Sequence, residues 1–455
     1  MWRLPTVNKL GQWLILSLWC SGAVAVVAGF TGVFYPWLSS LLILPAILII
    51  AAAFHVFKIF PKFTKLEKSL GLLIGLWWFL HGLQVFTPET GFDALWYHLP
   101  LAKVVTNGHH FLGDPNFYQS FNPQFSDSIF YLGFAAAGEL GAKLVAYLFG
   151  LGLILSSYLL SRNFLSRIHA LLAMLLISSF QVISWQVSSF YIDVAKVFWE
   201  ISALYFLLGK SRHSISKSSL VFGASLASKF FSVALLPTMT LIALMQKGKS
   251  AAINFVIVSL LLAVPFYWFS FAVSGNPFYS AFEHVGKLSQ IGGTSSPLNY
   301  ILLKTLQLLL LPFEVLLTRE YTSPTLILLL PLMIMYWKKI RQNRQLFVLS
   351  LFTLTQLLIW WYLPPLSVRY ALSGFVTATI LMIYLLKKWW RERKINLKWL
   401  VIGLIVAGIL FLPVRMAVVM RSSQYIFGLQ SKEQYLQQFL DGNVDSVLKN
   451  WHHLE

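Results

Sequence analysis

Continuous apolar runs of roughly 20 residues alternate along the chain with short polar or basic segments. Runs of that length predict membrane-spanning helices, and their lack of alternation excludes a transmembrane β-barrel. Spans are expected at about 12–33, 37–57 and 69–86, then at about 143–161, 168–187 and 190–209. The apolar segment 218–246 is too long for one span and basic at both flanks, with Lys217 before it and Lys247 and Lys249 after it. It predicts two short helices that go out and back, with Ser228 and Lys229 near the apex. A span at about 250–272 leads to a second loop at about 273–298, and an apolar segment at 299–317 is expected along the outer interface. Spans at about 325–338, 346–363, 371–386 and 399–416 follow. The expected fold is an all-α polytopic membrane protein of about 13 membrane segments. Three stretches are marked out: 1–68 with two N-terminal helices, 69–416 with the main body, and a polar external tail at 417–455.

Composition agrees with this pattern. The 455 residues are 57% hydrophobic and only 11% charged, with a mean hydropathy of +0.70. A soluble globule of this size has too few charges here to cover its surface. The net charge of +19 would suggest nucleic acid in a soluble protein. In a membrane protein it gathers in cytoplasmic loops and orients the chain. Lys58, Lys62, Lys65 and Lys68 mark one such loop, and Arg162, Arg167, Lys210 and Arg212 mark others. Of the 16 acids only Glu67 and Glu392 fall on that side. The single cysteine, Cys20, excludes a disulfide within the chain, and the first apolar run lacks a small-residue cleavage site.

The acids therefore point outward, above all in the long loop 87–140. Its start reads TPETGFDALWYHLPLAKVVTNGHHFLGDPNF. Asp93 lies just past a span, with Trp96 beside it and Tyr97 four residues on. If a helix starts there, the carboxylate either caps its N-terminus or accepts a proton from an attacking hydroxyl, with the rings stacked on a sugar. His98, His109, His110 and Asp114 are metal-ligand types, but their spacing fits no strong metal motif. Asp193 is a lone acid at a turn between spans, either a helix cap or a functional group at membrane depth. Lys229, in GASLASKFFSVALLP, has apolar sequence on both sides and must reach water or an anion. Arg369, in WYLPPLSVRYALSG, follows a Pro-rich turn at the outer end of a span. It is either an interfacial anchor or a bidentate grip on a lipid phosphate.

These residues resemble bacterial membrane glycosyltransferases of the GT-C superfold, of the protein-mannosyltransferase and aminoarabinose-transferase type. The likeness rests on Asp93, Tyr97, His98 and Gly108 in the first loop, and on Gly223 to Lys229 with Pro237 downstream. It rests also on Gly275-Asn276-Pro277-Phe278-Tyr279 after a span, and on Arg369-Tyr370 at the outer start of a late span. It covers about 69–390. The resemblance implies a GT-C-like bundle with interfacial helices in a large first external loop. It implies transfer of a sugar from a polyprenyl-phosphate donor to an acceptor bound from outside, usually with inversion. Asp93 becomes the candidate catalytic residue, as base or as the group that orients the acceptor, and Lys229 and Arg369 the candidate donor phosphate-binding pair. Trp96, Tyr97, His98, Asp193, Asn276 and Tyr370 become the sugar and acceptor pocket. Many members carry a paired acid where this chain has Phe92-Asp93-Ala94, and relatives often have L-L-P where it has Ala371-Leu372-Ser373.

The resemblance places the protein in a bacterial cytoplasmic membrane, multi-pass, with the site facing outside. No cofactor is required, a divalent metal being the alternative, and no nucleic acid is expected. The partners are the lipid-linked sugar, membrane lipids and an acceptor that is a lipid, a glycan or a protein. A transporter or lipid flippase is the rival function, and a non-enzymatic scaffold the next. Trp451, His452 and His453 of the tail either contact an acceptor or cover the cavity.

Overall fold

The computed structural model describes residues 6–114, 117–211, 213–279, 297–311, 313–314, 322–362 and 367–440. These residues form helices and connecting loops, with no strand among them. Among the described residues, eight helical stretches are long and apolar enough to cross a membrane. Most of the loop expected at 273–298, the Pro-rich turn at 363–366, and Trp451, His452 and His453 lie outside the described residues.

α1 (Val7–Thr31) and α2 (Ile43–Ile59) pack together, and α1 lies along α5 (Phe125–Ser161). α3 (Lys65–Val85) opens with a capping box: Thr64 accepts from the Glu67 backbone and Glu67 from that of Thr64, which fixes the start of the span. α3 leads into the first large loop, which carries α4 (Leu99–Gly108).

That loop runs into a helix that is broken at Ala137 and Gly138. Gly138 takes a φ of +57°, open to glycine at no steric cost. Beside the break Gly133 and Gly141 meet backbone to backbone, and a Cβ on Gly133 would lie 2.5 Å from the Gly141 carbonyl oxygen. The arm from Phe125 to about residue 136 thus folds against the arm that spans the membrane. This is why the span expected at 143–161 is continuous in sequence with a helix of the first large loop.

Next come α6 (Arg167–Ser178), α7 (Gln181–Gln186), α8 (Asp193–Leu207), α9 (Ser214–Leu226), α10 (Leu236–Lys247) and α11 (Lys249–Ser274). The span expected at 168–187 is two helices. The Ser179 hydroxyl bonds back to the Leu176 carbonyl, and the chain turns there. The pair of short helices expected in 218–246 is present as α9 and α10, joined by a 3₁₀ segment at Phe230–Leu235. α12 (Pro297–Leu306) lies on the surface, with Leu298, Leu302 and Leu306 exposed.

α13 (Leu329–Gln342), α14 (Arg344–Tyr362) and α15 (Leu372–Glu392) close the bundle, with α8 almost wholly enclosed and α15 enclosed over 372–383. α16 (Leu397–Ile409) and α17 (Leu412–Ile426) together carry the last span ten residues beyond the expected 416. Polar tail residues had suggested an earlier exit, but Val414, Met416, Val418 and Met420 keep the outward face apolar. A capped helix, α18 (Lys432–Phe439), returns to the bundle, where Lys432 pairs with Glu139 at 2.8 Å.

Candidate active site

Four separate segments bring two carboxylates and two cations to one point. The first is the chain after α3. Glu89 is buried and its carboxylate is saturated: Thr90 and Gly91 donate from their backbones at 3.0 and 2.8 Å. Ser189 Oγ donates at 2.6 Å and the Phe190 backbone at 2.8 Å. Glu89 thereby bolts the start of the loop to the turn before α8. The Asp93 backbone N–H then donates to the Tyr191 hydroxyl at 3.1 Å, across the same seam.

Asp93 does not act as an N-cap. It sits in helical conformation ahead of a π-type turn, Ala94–His98, and its side chain caps no backbone group. Its Oδ2 instead accepts from Arg369 Nη1 at 2.6 Å. Arg369 lies in a 3₁₀ turn, Val368–Ala371, that feeds α15. Its Nη2 donates to the Tyr370 hydroxyl at 3.1 Å. Its Nε stands 4.0 Å from Asp193 Oδ2, too far for a hydrogen bond, and has no partner among the described residues.

Asp193 opens α8 and is 1% exposed. It accepts from Lys229 Nζ and from Gln186 Nε2, the latter at 3.1 Å. Lys229 is held at the apex between α9 and the 3₁₀ segment, in extended backbone conformation. The neighbouring Ser228 Oγ, at 2.6 Å from Ser126 Oγ, ties that apex to the start of α5. Lys229 Nζ also lies 4.9 Å over the ring of Tyr370, which stacks on Phe231 at 4.3 Å. Asp93, Asp193, Lys229, Arg369 and Tyr370 thus form one charge-balanced cluster.

Below it runs a second polar layer with no part in the sequence expectations. Lys196 and Glu200, i and i+4 on α8, pair at 3.2 Å with almost no exposure. Lys196 Nζ donates to the Tyr370 carbonyl at 3.2 Å, holding the turn that carries Arg369. Glu200 accepts from Ser225 and Ser232 at 3.3 and 3.1 Å, from Gln356 at 3.3 Å and from Ser373 at 2.5 Å. Paired charges at membrane depth were the available signal for this layer, since isolated charges there are costly.

An aromatic shelf borders Asp93. Trp96, 41% exposed, packs against Phe92, Tyr97 and Tyr118 at 5.4, 5.7 and 6.0 Å. Burial, and next the Asp93 carboxylate, hold the phenols of Tyr97 and Tyr118 above their ordinary range. His98 lies beneath this shelf, its ring 4.0 Å from that of Tyr97. It is buried, bonds Asp127 Oδ1 at 2.7 Å and stacks on Phe190 at 5.0 Å. Asn276 folds its own loop, its Oδ1 accepting from the Phe278 backbone at 2.9 Å. Phe278 in turn packs at 6.3 Å from Phe230, next to Lys229.

The metal-ligand types of the loop do not converge. His109 bonds the Phe34 carbonyl at 3.0 Å and His110 that of Gly108 at 2.7 Å. Among the described residues no group of three His, Cys, Asp or Glu side chains could hold a metal ion.

No family model matches the chain, and no curated protein matches it. Solved structures do. The chain is similar to ArnT from Cupriavidus metallidurans bound to undecaprenyl phosphate, with a TM-score of 0.50 and 15% identity over 81% of this chain and 67% of that one. The same protein in the apo state gives a TM-score of 0.51 and 15% identity over 82% and 68%. At that identity the likeness is one of fold. The fold is the one the sequence resemblance implied, an all-α polytopic membrane bundle of the GT-C type.

Proposed function

We propose that the protein is a membrane glycosyltransferase that moves a sugar from a polyprenyl-phosphate donor to an acceptor bound on the extracytoplasmic side. The observation that carries this is the convergence of Asp93, Arg369, Asp193 and Lys229 from four segments distant in sequence. Two cations beside a carboxylate and an aromatic shelf suit a donor that already has a good leaving group.

In the cluster both cations are taken by carboxylates. A donor phosphate entering between Lys229 and Arg369 competes with Asp93 for the guanidinium, and the free Arg369 Nε supplies a further donor. Release of Asp93 leaves an unpaired carboxylate next to the sugar. The acceptor hydroxyl oxygen then attacks the anomeric carbon while its proton passes to Asp93. The bond from the anomeric carbon to the phosphate oxygen breaks, and the electron pair leaves with the polyprenyl phosphate. Lys229 and Arg369 stabilise the charge that grows on that phosphate. Attack opposite the leaving group inverts the anomeric centre. Trp96 and Tyr97 stack on the sugar, and Tyr370 packs Lys229 and Arg369 in place.

The ArnT similarity in fold and the undecaprenyl phosphate bound to that protein support a lipid-phosphate donor here. The basic loops support an orientation with the cluster facing outward, and the resemblance supports a bacterial cytoplasmic membrane. The test is transfer by purified protein from a panel of defined polyprenyl-phosphate sugars to membrane lipid, glycan and peptide acceptors, read by mass spectrometry. Sugar-bearing product from at least one donor is expected. No turnover of any donor by folded protein would overturn the proposal and leave transport or lipid flipping as the rival.

A further inference from the structure

At the other end of α15 from Arg369 lies a cleft of about 460 Å³ lined by Phe164, Tyr384, Lys387, Lys388, Arg391 and Glu392. The helical rise puts it about 30 Å from the Asp93 cluster, on the opposite side of the bundle. Three of its six lining residues are cations, and no carboxylate among the described residues lies within ion-pair distance of Lys387, Lys388 or Arg391. Its one acid is already engaged. Glu392 accepts from Lys339 Nζ and from the Tyr336 hydroxyl, each at 2.6 Å.

Lys387 and Arg391 stand four residues apart on one helix face, about 6 Å between their β-carbons, which suits two oxygens of one phosphate group. Lys387 and Lys388 are half-buried, so their charges are less screened than those of a solvated loop. A cluster that served only to orient the chain would need neither a cleft nor enclosure. Phe164 and Tyr384 add an apolar wall, and Trp389 and Trp390 flank the cations as interface anchors do. A ligand that is anionic at one end and apolar at the other matches these features.

We propose that this cleft binds the phosphate headgroup of an anionic phospholipid, a site independent of the glycosyl-transfer reading. Basic pockets between helices at the membrane edge hold such headgroups through cations of this kind. The shared chemistry is a phosphate oxyanion, available also from a soluble compound, and the arms of the test separate the two.

Detergent-purified full-length protein is titrated with dioctanoyl phosphatidylglycerol, dioctanoyl phosphatidylcholine and inorganic pyrophosphate, with binding read by native mass spectrometry and thermal shift. Wild type is expected to bind phosphatidylglycerol saturably and phosphatidylcholine at least tenfold more weakly. Lys387→Gln/Arg391→Gln is expected to lose about tenfold or more in phosphatidylglycerol affinity, as follows from removing two cations near the surface. Lys388→Gln alone serves as a milder variant should the double one unfold, with a smaller loss expected in the same direction. Equal phosphatidylglycerol affinity in wild type and the folded variants overturns the proposal, as does equal binding of the two lipids. Pyrophosphate binding as tight as phosphatidylglycerol, and lost in the variants, overturns the lipid headgroup and assigns the cleft to a soluble phosphate compound.

Discussion

Replacing Asp93 by Asn separates the two tasks given to that carboxylate. In the structure Asp93 Oδ2 occupies Arg369 Nη1 at 2.6 Å, with the two side chains 17% and 18% exposed. A charge-assisted hydrogen bond of this kind contributes about 1.5–3 kcal/mol net. Partial exposure argues for the lower figure, about 1.5 kcal/mol, or roughly tenfold in a binding constant. A donor phosphate must displace that bond to use the guanidinium. The neutral amide of the Asp93→Asn variant competes far less, so donor affinity is expected to rise about tenfold while the base is lost. Loss of a general base lowers the rate by about 10²–10⁴-fold. The variant should therefore show a donor KM near a tenth of wild type and kcat reduced at least a hundredfold. Initial rates against donor concentration, together with direct binding of polyprenyl phosphate to both proteins, measure the two quantities. An unchanged kcat would remove Asp93 as base. A donor KM that rises would show that the pair with Arg369 preorganises the phosphate site rather than competing with it.

Other outcomes follow from the supporting layers. Glu200→Leu strands the buried Lys196 ammonium, and a loss of about 3–5 kcal/mol is expected, seen as a lower unfolding temperature in detergent. Lys196→Met with Glu200→Leu should recover much of it, and no recovery would contradict a pairwise origin. Glu89→Ala removes the acceptor of four hydrogen bonds that set the Asp93 segment. It should lower kcat with donor KM little changed, and a protein with wild-type kcat would show that Glu89 positions nothing. Tyr97 is held neutral by burial and the nearby Asp93 charge, its pKa lying above the ordinary 10.0. Its preference for the neutral folded form is fully present below about pH 10 and is lost only as pH rises through the raised value. Tyr97→Phe should therefore leave the pH–rate profile unchanged in shape up to about pH 9.5, and loss of an alkaline limb in the variant would refute this.

The helical architecture was legible because membrane spans are written in run length and in the placement of Lys and Arg. The paired helices around Lys229 show this well, since basic residues at both flanks of 218–246 force an even number of crossings. Helix ends were less legible. The arm at 125–136 reads as loop because it is short and follows Asn, Pro and Gln, and only tertiary contacts, Gly133 on Gly141, Ser126 on Ser228 and Asp127 on His98, fold it into the bundle. The chain's exit at Ile426 was hidden by the polar run of Arg421, Ser422, Ser423 and Gln424 and by Arg415, whose charge is in fact buried against the bundle. Within the site, Lys229 and Arg369 were legible as charges in the wrong place for a membrane protein, and Asp93 as an acid beside aromatic rings just past a span. Their pairing was not, because it joins residues far apart in sequence. Glu89 and Glu200 looked like ordinary acids of a loop and a span, and only the hydroxyls and amides that surround them reveal their positioning roles.

The most direct measurement is the structure of the protein with a polyprenyl phosphate bound. The phosphate is expected between Lys229 and Arg369, its oxygens about 3 Å from Lys229 Nζ and the guanidinium, with Asp93 released toward the Trp96 shelf. A phosphate bound away from both cations, with the Asp93–Arg369 pair intact, would contradict the assignment.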